Sequence, residues 1–87
     1  MSVKSTGLPI ICDECGQPIT SHDDAYVEWI EPTFNVPQDV RIVHAAHSSP
    51  NKPNGNCFKH TAHFHRCDMD LPAIKSDPNE MTRLGLI

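Results

Sequence analysis

Apolar and polar residues alternate most clearly over Ala25–Glu31 (AYVEWIE), with Val27 and Trp29 on one face and Tyr26, Glu28 and Ile30 on the other. This period of two, carried by aromatic and β-branched side chains, predicts a strand with unequal faces. Val40–His44 (VRIVH) repeats the pattern and groups Val40, Ile42 and His44. Between the two stretches Pro32, Asn35 and Pro37 interrupt regular pairing, which predicts an antiparallel hairpin with a long connection. Upstream, Leu8, Pro9, Ile10 and Ile11 form a short apolar lead into Cys12, read as a short strand after a frayed polar arm over residues 1–8. Ser48–Asn56 (SSPNKPNGN) has the composition of an exposed loop. The clearest helix signal lies at the end of the chain. Asp77 stands at the N-cap, Pro78 at the first helical position and Glu80 where a capping-box partner belongs. Met81, Leu84 and Ile87 would then share a face, and a helix this short must dock that stripe on the sheet or on a partner.

Length changes the picture. Eighty-seven residues make one domain, and with 8 prolines, 4 glycines and 6% aromatic residues there is little large side-chain material to bury. Such a core is marginal, and small domains in that position recruit a disulfide, a metal or a partner. Attention therefore moves to the 4 cysteines and 6 histidines. The first dozen residues contain no apolar run long enough for a secretory segment, and none anywhere reaches membrane length, so the expectation is a cytoplasmic protein without membrane association. In a reducing compartment a Cys-x-x-Cys reads as a metal knuckle before it reads as half of a disulfide framework. The formal net charge of -4 disfavours a phosphate backbone as partner.

Cys12-Asp13-Glu14-Cys15-Gly16 is the strongest motif. A two-residue spacer lets both thiolates face one ion, and Gly16 permits the tight turn that aims backbone N–H groups at the sulfurs. Cys57 is the natural third ligand. For the fourth, His60 forms Cys-x-x-His with Cys57, while His44 ends the returning strand of the hairpin, which sets it beside the start of the first strand and close to the knuckle. Topology favours His44, with His60 as the alternative and His47 behind both. One structural Zn2+ is the expected cofactor. His63, His65 and Cys67 would share a face on an extended strand, as a second metal site requires, although histidines in a polar segment are more simply solvated. His22 with Asp23 and Asp24 reads as turn chemistry, and Trp29 as core.

The run CDECGQPI, then YVEWI, RIVHAAHSSP and NGNCF, resembles small uncharacterised zinc-binding proteins of bacteria and their prophages over about residues 10–70. The resemblance implies Cys12, Cys15, His44 and Cys57 as ligands, and no catalytic activity. The expected fold is a small α+β zinc-binding domain, zinc-ribbon-like or treble-clef-like, with an antiparallel hairpin, a zinc knuckle and a short C-terminal helix. The expected function is a non-catalytic binding module for an unknown protein partner, with self-association through the Met81/Leu84/Ile87 stripe as one form of contact. The competing reading is an HNH-like (ββα-metal) nuclease or a nucleic-acid-binding finger, for which His44, Pro50, Asn56 and Cys57-x-x-His60 fall in a similar order. It fits less well, because such a nuclease needs an open metal position and basic residues for phosphate.

Overall fold

A computed structural model of the chain describes residues 5–50 and 57–87. The apolar lead forms β1 (Ile10–Ile11), which pairs antiparallel with β2 (Pro18–Ile19) to carry the Cys12–Cys15 turn between them. A short 3-10 turn, His22–Asp24, is capped by the Ser21 side chain and leads into β3 (Ala25–Thr33). β4 (Val36–His44) returns beside β3, and β5 (Arg66–Asp70) pairs on its other side, giving a three-stranded antiparallel sheet in the order β4-β3-β5. Two short helices close the chain, α1 (Leu71–Lys75) and α2 (Pro78–Arg83). The expected class, a small α+β domain of antiparallel strands with a short C-terminal helix, is the one observed.

Val27 and Trp29 point into the core with Ile19, Ile42, Leu71 and Ile74, as the alternation in β3 requires, and Trp29 is 4% exposed. The long connection of the hairpin is not observed. The strands continue through both prolines to a two-residue turn at Phe34–Asn35, with Thr33 opposite Val36 and Asn35 at φ 61°. Both prolines sit where no ladder donor is missed. Pro37 lies on the edge strand β4, and Pro32 lies past the last β3–β5 pair, Ile30 with Arg66, within a register shift of the β3–β4 ladder.

At the end of the chain the Asp77 carboxylate accepts from the N–H groups of Asn79 and Glu80 at 3.1 and 3.3 Å, as the N-cap reading requires. The reciprocal half of the capping box is absent. The Asp77 N–H donates to Ile74 O, and Glu80 instead accepts from the Arg83 guanidinium. The expected apolar stripe also changes. Met81 and Leu84 are buried in the chain's own core, but Ile87 is 61% exposed and Leu86 is buried in its place. Gly85, at φ 74°, is the cause: its left-handed conformation ends α2 in a Schellman motif, with Leu86 N–H donating to Met81 O and Gly85 N–H to Thr82 O. That reversal turns Leu86 inward beside Met81 and Leu84 and leaves Ile87 outside.

Of the polar arm, residues 1–4 lie outside the described residues, and the Thr6 carbonyl accepts a hydrogen bond from His22 Nε2. Of the loop Ser48–Asn56, residues 51–56 lie outside them; Ser49, expected to be exposed, is 3% exposed.

Candidate metal centre

Cys12 and Cys15 sit on the turn that joins β1 to β2. The Gly16 N–H donates to Cys12 O, the Cys12 N–H donates to Gln17 O, and Gly16 takes φ 76°. Nothing lies within 4 Å of where a Gly16 Cβ would be, so glycine is required by the backbone conformation and not by space. The two spacer residues dock this turn on β4. Asp13 N–H donates to Ile42 O, the Ile42 N–H donates to Asp13 Oδ2 at 2.9 Å, and Arg41 donates to Glu14 at 2.6 Å. The knuckle thereby covers part of an edge strand and brings its sulfurs to the end of β4.

His44 ends that strand, opposite Ala25 in the ladder. Its Nδ1 lies 3.3 Å from Cys15 Sγ and 3.9 Å from Cys57 Sγ. On the far side of the ring Nε2 is 3.3 Å from Pro18 O. A carbonyl can only accept, so that contact places the imidazole proton on Nε2 and leaves the Nδ1 lone pair facing the sulfurs, the usual outer-shell arrangement of a ligating histidine.

Cys57 is fully buried, and Ser49 Oγ lies 3.0 Å from its sulfur, placed to donate to a thiolate. The segment that carries Cys57 is anchored from below. The carboxylate of Glu28, buried at 0% exposure in the middle of β3, accepts from Lys59 N–H at 2.7 Å and from His60 N–H at 2.9 Å. Arg41 Nε and Arg66 Nε stand 3.8 and 3.7 Å from the same carboxylate.

The ligating atoms of Cys12, Cys15, His44 and Cys57 all lie within 4.8 Å of one another, close enough to share one metal ion. A tetrahedron with bonds of roughly 2.3 Å to sulfur and 2.0 Å to nitrogen has edges of about 3.5–3.8 Å, and the two Sγ–Nδ1 distances bracket that range. The thiols differ in their environment. At Cys12 burial pushes the pKa up, but the backbone groups of Cys15, Glu14 and His44 and the His44 side chain outweigh it and bring the thiol down to about 7. At Cys57 burial dominates and pushes the thiol up to about 11, against the Ser49 hydroxyl. A cation bound among them would offset the cost of three thiolates in this partly buried pocket.

The other histidines lie elsewhere. His60 is buried, but its Nε2 is 3.1 Å from the Asp39 carboxylate. His47 is mostly exposed and meets Asp24 at 3.2 Å. The face that an extended strand would give His63, His65 and Cys67 does not form, because only Cys67 lies in β5, and among the described residues these three make no metal-sized cluster. No helix starts at Cys57, the feature that a treble clef would have required. In the order that suggested a nuclease, His44 faces cysteine sulfurs, His60 pairs with Asp39, and Asn56 lies outside the described residues.

Sequence reasoning missed Glu28, β5 and α1. No helix among the described residues is long and apolar enough to cross a membrane. Comparison with protein-family models, with curated proteins and with solved structures finds no match for the chain.

Proposed function

We propose that the chain is a non-catalytic module, built on one structural zinc ion held by Cys12, Cys15, His44 and Cys57, whose work is to contact another protein. The observation that carries this reading is the donor set itself: three sulfurs and one imidazole nitrogen within 4.8 Å of one another. Thiolate-rich sites of four protein ligands suit zinc, which has no d-electron preference to satisfy, and such a full set leaves no open position for substrate or water. The ligands come from three separated stretches of the chain, so one ion would tie the β1–β2 turn, the end of β4 and the segment after residue 56 into one unit. A cytoplasmic setting fits thiols that are free of disulfides at all four cysteines. Protein is favoured over nucleic acid as the partner because the formal net charge is -4.

The test is activity and affinity together. Zinc-loaded protein is expected to leave plasmid DNA intact in magnesium or manganese and to show no salt-sensitive binding to DNA or RNA. Divalent-metal-dependent cleavage that disappears in His44→Ala would overturn the reading, because a histidine held in a closed structural site cannot act as a base.

A further inference from the structure

A cleft of about 290 Å3 opens on the sheet face away from Val27 and Trp29. Its apolar walls include Tyr26, Phe58 and Ala46, and its rim carries Asp23, Asp68 and Asp70. Tyr26 stands opposite Asp70 in the β3–β5 ladder, and Asp68 stands opposite Glu28, so these side chains project from one face. The Tyr26 and Phe58 rings are 5.4 Å apart and tilted by 50°, forming an aromatic corner beside the carboxylates. Burial and the neighbouring Asp68 carboxylate push the Tyr26 phenol above its ordinary value.

The chain already shows what this face accepts. The guanidinium of Arg66 lies 5.1 Å from the centre of the Phe58 ring and donates to Asp68 at 2.5 Å. A flat cation is thus held by one aromatic ring and one carboxylate at the edge of the cleft, by cation–π attraction and a charge-assisted hydrogen bond. Arg66 answers Asp68, and among the described residues no ion pair answers the other two rim acids. Asp70 occupies the N-cap of α1, where an aspartate ordinarily bonds the first turn, yet its side chain makes no cap bond. Of the histidines on either side of Asp23, His47 is turned to Asp24 and His22 donates to the Thr6 carbonyl. A chelated metal suits the cleft poorly, since the rim carboxylates form no metal-sized cluster among the described residues. An anion is opposed by the charge.

We infer that this cleft receives a lysine or arginine side chain of the protein partner, its alkyl or planar part against Tyr26 and Phe58 and its charge between Asp23 and Asp70. The inference rests on the protein-contact reading above and names the chemistry of that contact. It is tested with zinc-loaded protein and three capped pentapeptides, Gly-Ser-Arg-Ser-Gly, the same with lysine, and the same with citrulline, which keeps the shape of arginine without its charge. Amide NMR shifts are expected to concentrate on Tyr26, Ala46, Phe58 and Asp70 with the two basic peptides and to be absent with citrulline. The double substitution Asp23→Asn with Asp70→Asn, which removes no ion pair among the described residues, is expected to weaken binding by about tenfold, as the loss of two exposed charge contacts. Shifts centred elsewhere, equal binding of the citrulline peptide, or an unchanged affinity in the double variant would overturn the inference. So would saturable shifts at the same residues with magnesium or calcium and none with the peptides. Zinc content is measured on every sample: failure of the peptides on protein that holds one zinc overturns the cleft alone, whereas wild-type protein without zinc overturns the module.

Discussion

Stripping the protein with a strong chelator is expected to unfold it. The four donors are contributed from residues 12, 15, 44 and 57, so without an ion three thiols and an imidazole are left crowded in one pocket, held only by the hydrogen bonds of Asp13, Glu14, Ser49 and Glu28 around it. Structural zinc in small domains contributes an apparent ~10–16 kcal/mol. That is as large as the whole stability of a typical domain, about 5–15 kcal/mol, and Trp29 is the one aromatic side chain buried in the core among the described residues. Near-ultraviolet circular dichroism of the buried Trp29 should collapse on chelation and return when zinc is restored. A spectrum and an unfolding midpoint that do not move under chelation would mean that the sheet and helices suffice without the ion.

The second large effect is expected at Glu28, which touches no ligand. Replacing Glu28 with alanine leaves the N–H groups of Lys59 and His60 without their acceptor and leaves two arginines facing an empty space. Glu14 and Asp68 accept from the outer guanidinium nitrogens, but Arg41 Nε and Arg66 Nε are buried without a hydrogen bond, and the Glu28 carboxylate is the charge that faces them. Breaking a buried charge arrangement by removing one partner costs about 3–5 kcal/mol. Because Lys59 and His60 lie just past Cys57, the same substitution should also loosen zinc binding. Chemical denaturation and a competitive zinc titration measure the two effects. A loss below about 1 kcal/mol, within the range of an exposed salt bridge, would show that the carboxylate is not the anchor of this segment.

What was legible in the sequence was what depends on short-range geometry. Cys12-x-x-Cys15-Gly16 fixes a turn by its own spacing, and alternation in 25–31 and 40–44 places His44 opposite Ala25, which carries it to the knuckle. Asp77 and Pro78 begin a helix for reasons contained in the first turn. The features that were not legible depend on partners far along the chain. Glu28 reads as the polar member of an alternating strand, and its burial follows from backbone groups 31 and 32 residues away. Arg66–Asp70 (RCDMD) alternates only Cys67 and Met69 with charged residues, with no β-branched or aromatic side chain, and is a strand because β3 offers it an edge. The hairpin turn was obscured by two prolines that happen to occupy an edge and a register shift. One miss had an available signal: Leu84-Gly85-Leu86 carries the glycine of a Schellman ending, which reverses the chain and turns Leu86 inward, leaving Ile87 outside.

The most direct test of the proposed zinc site is native mass spectrometry of the wild type, His44→Ala and His60→Ala, each purified without chelator. The account predicts one zinc per chain in the wild type and in His60→Ala, and loss of stoichiometric zinc in His44→Ala. Wild-type protein without stoichiometric zinc, or zinc kept by His44→Ala and lost by His60→Ala, would contradict it.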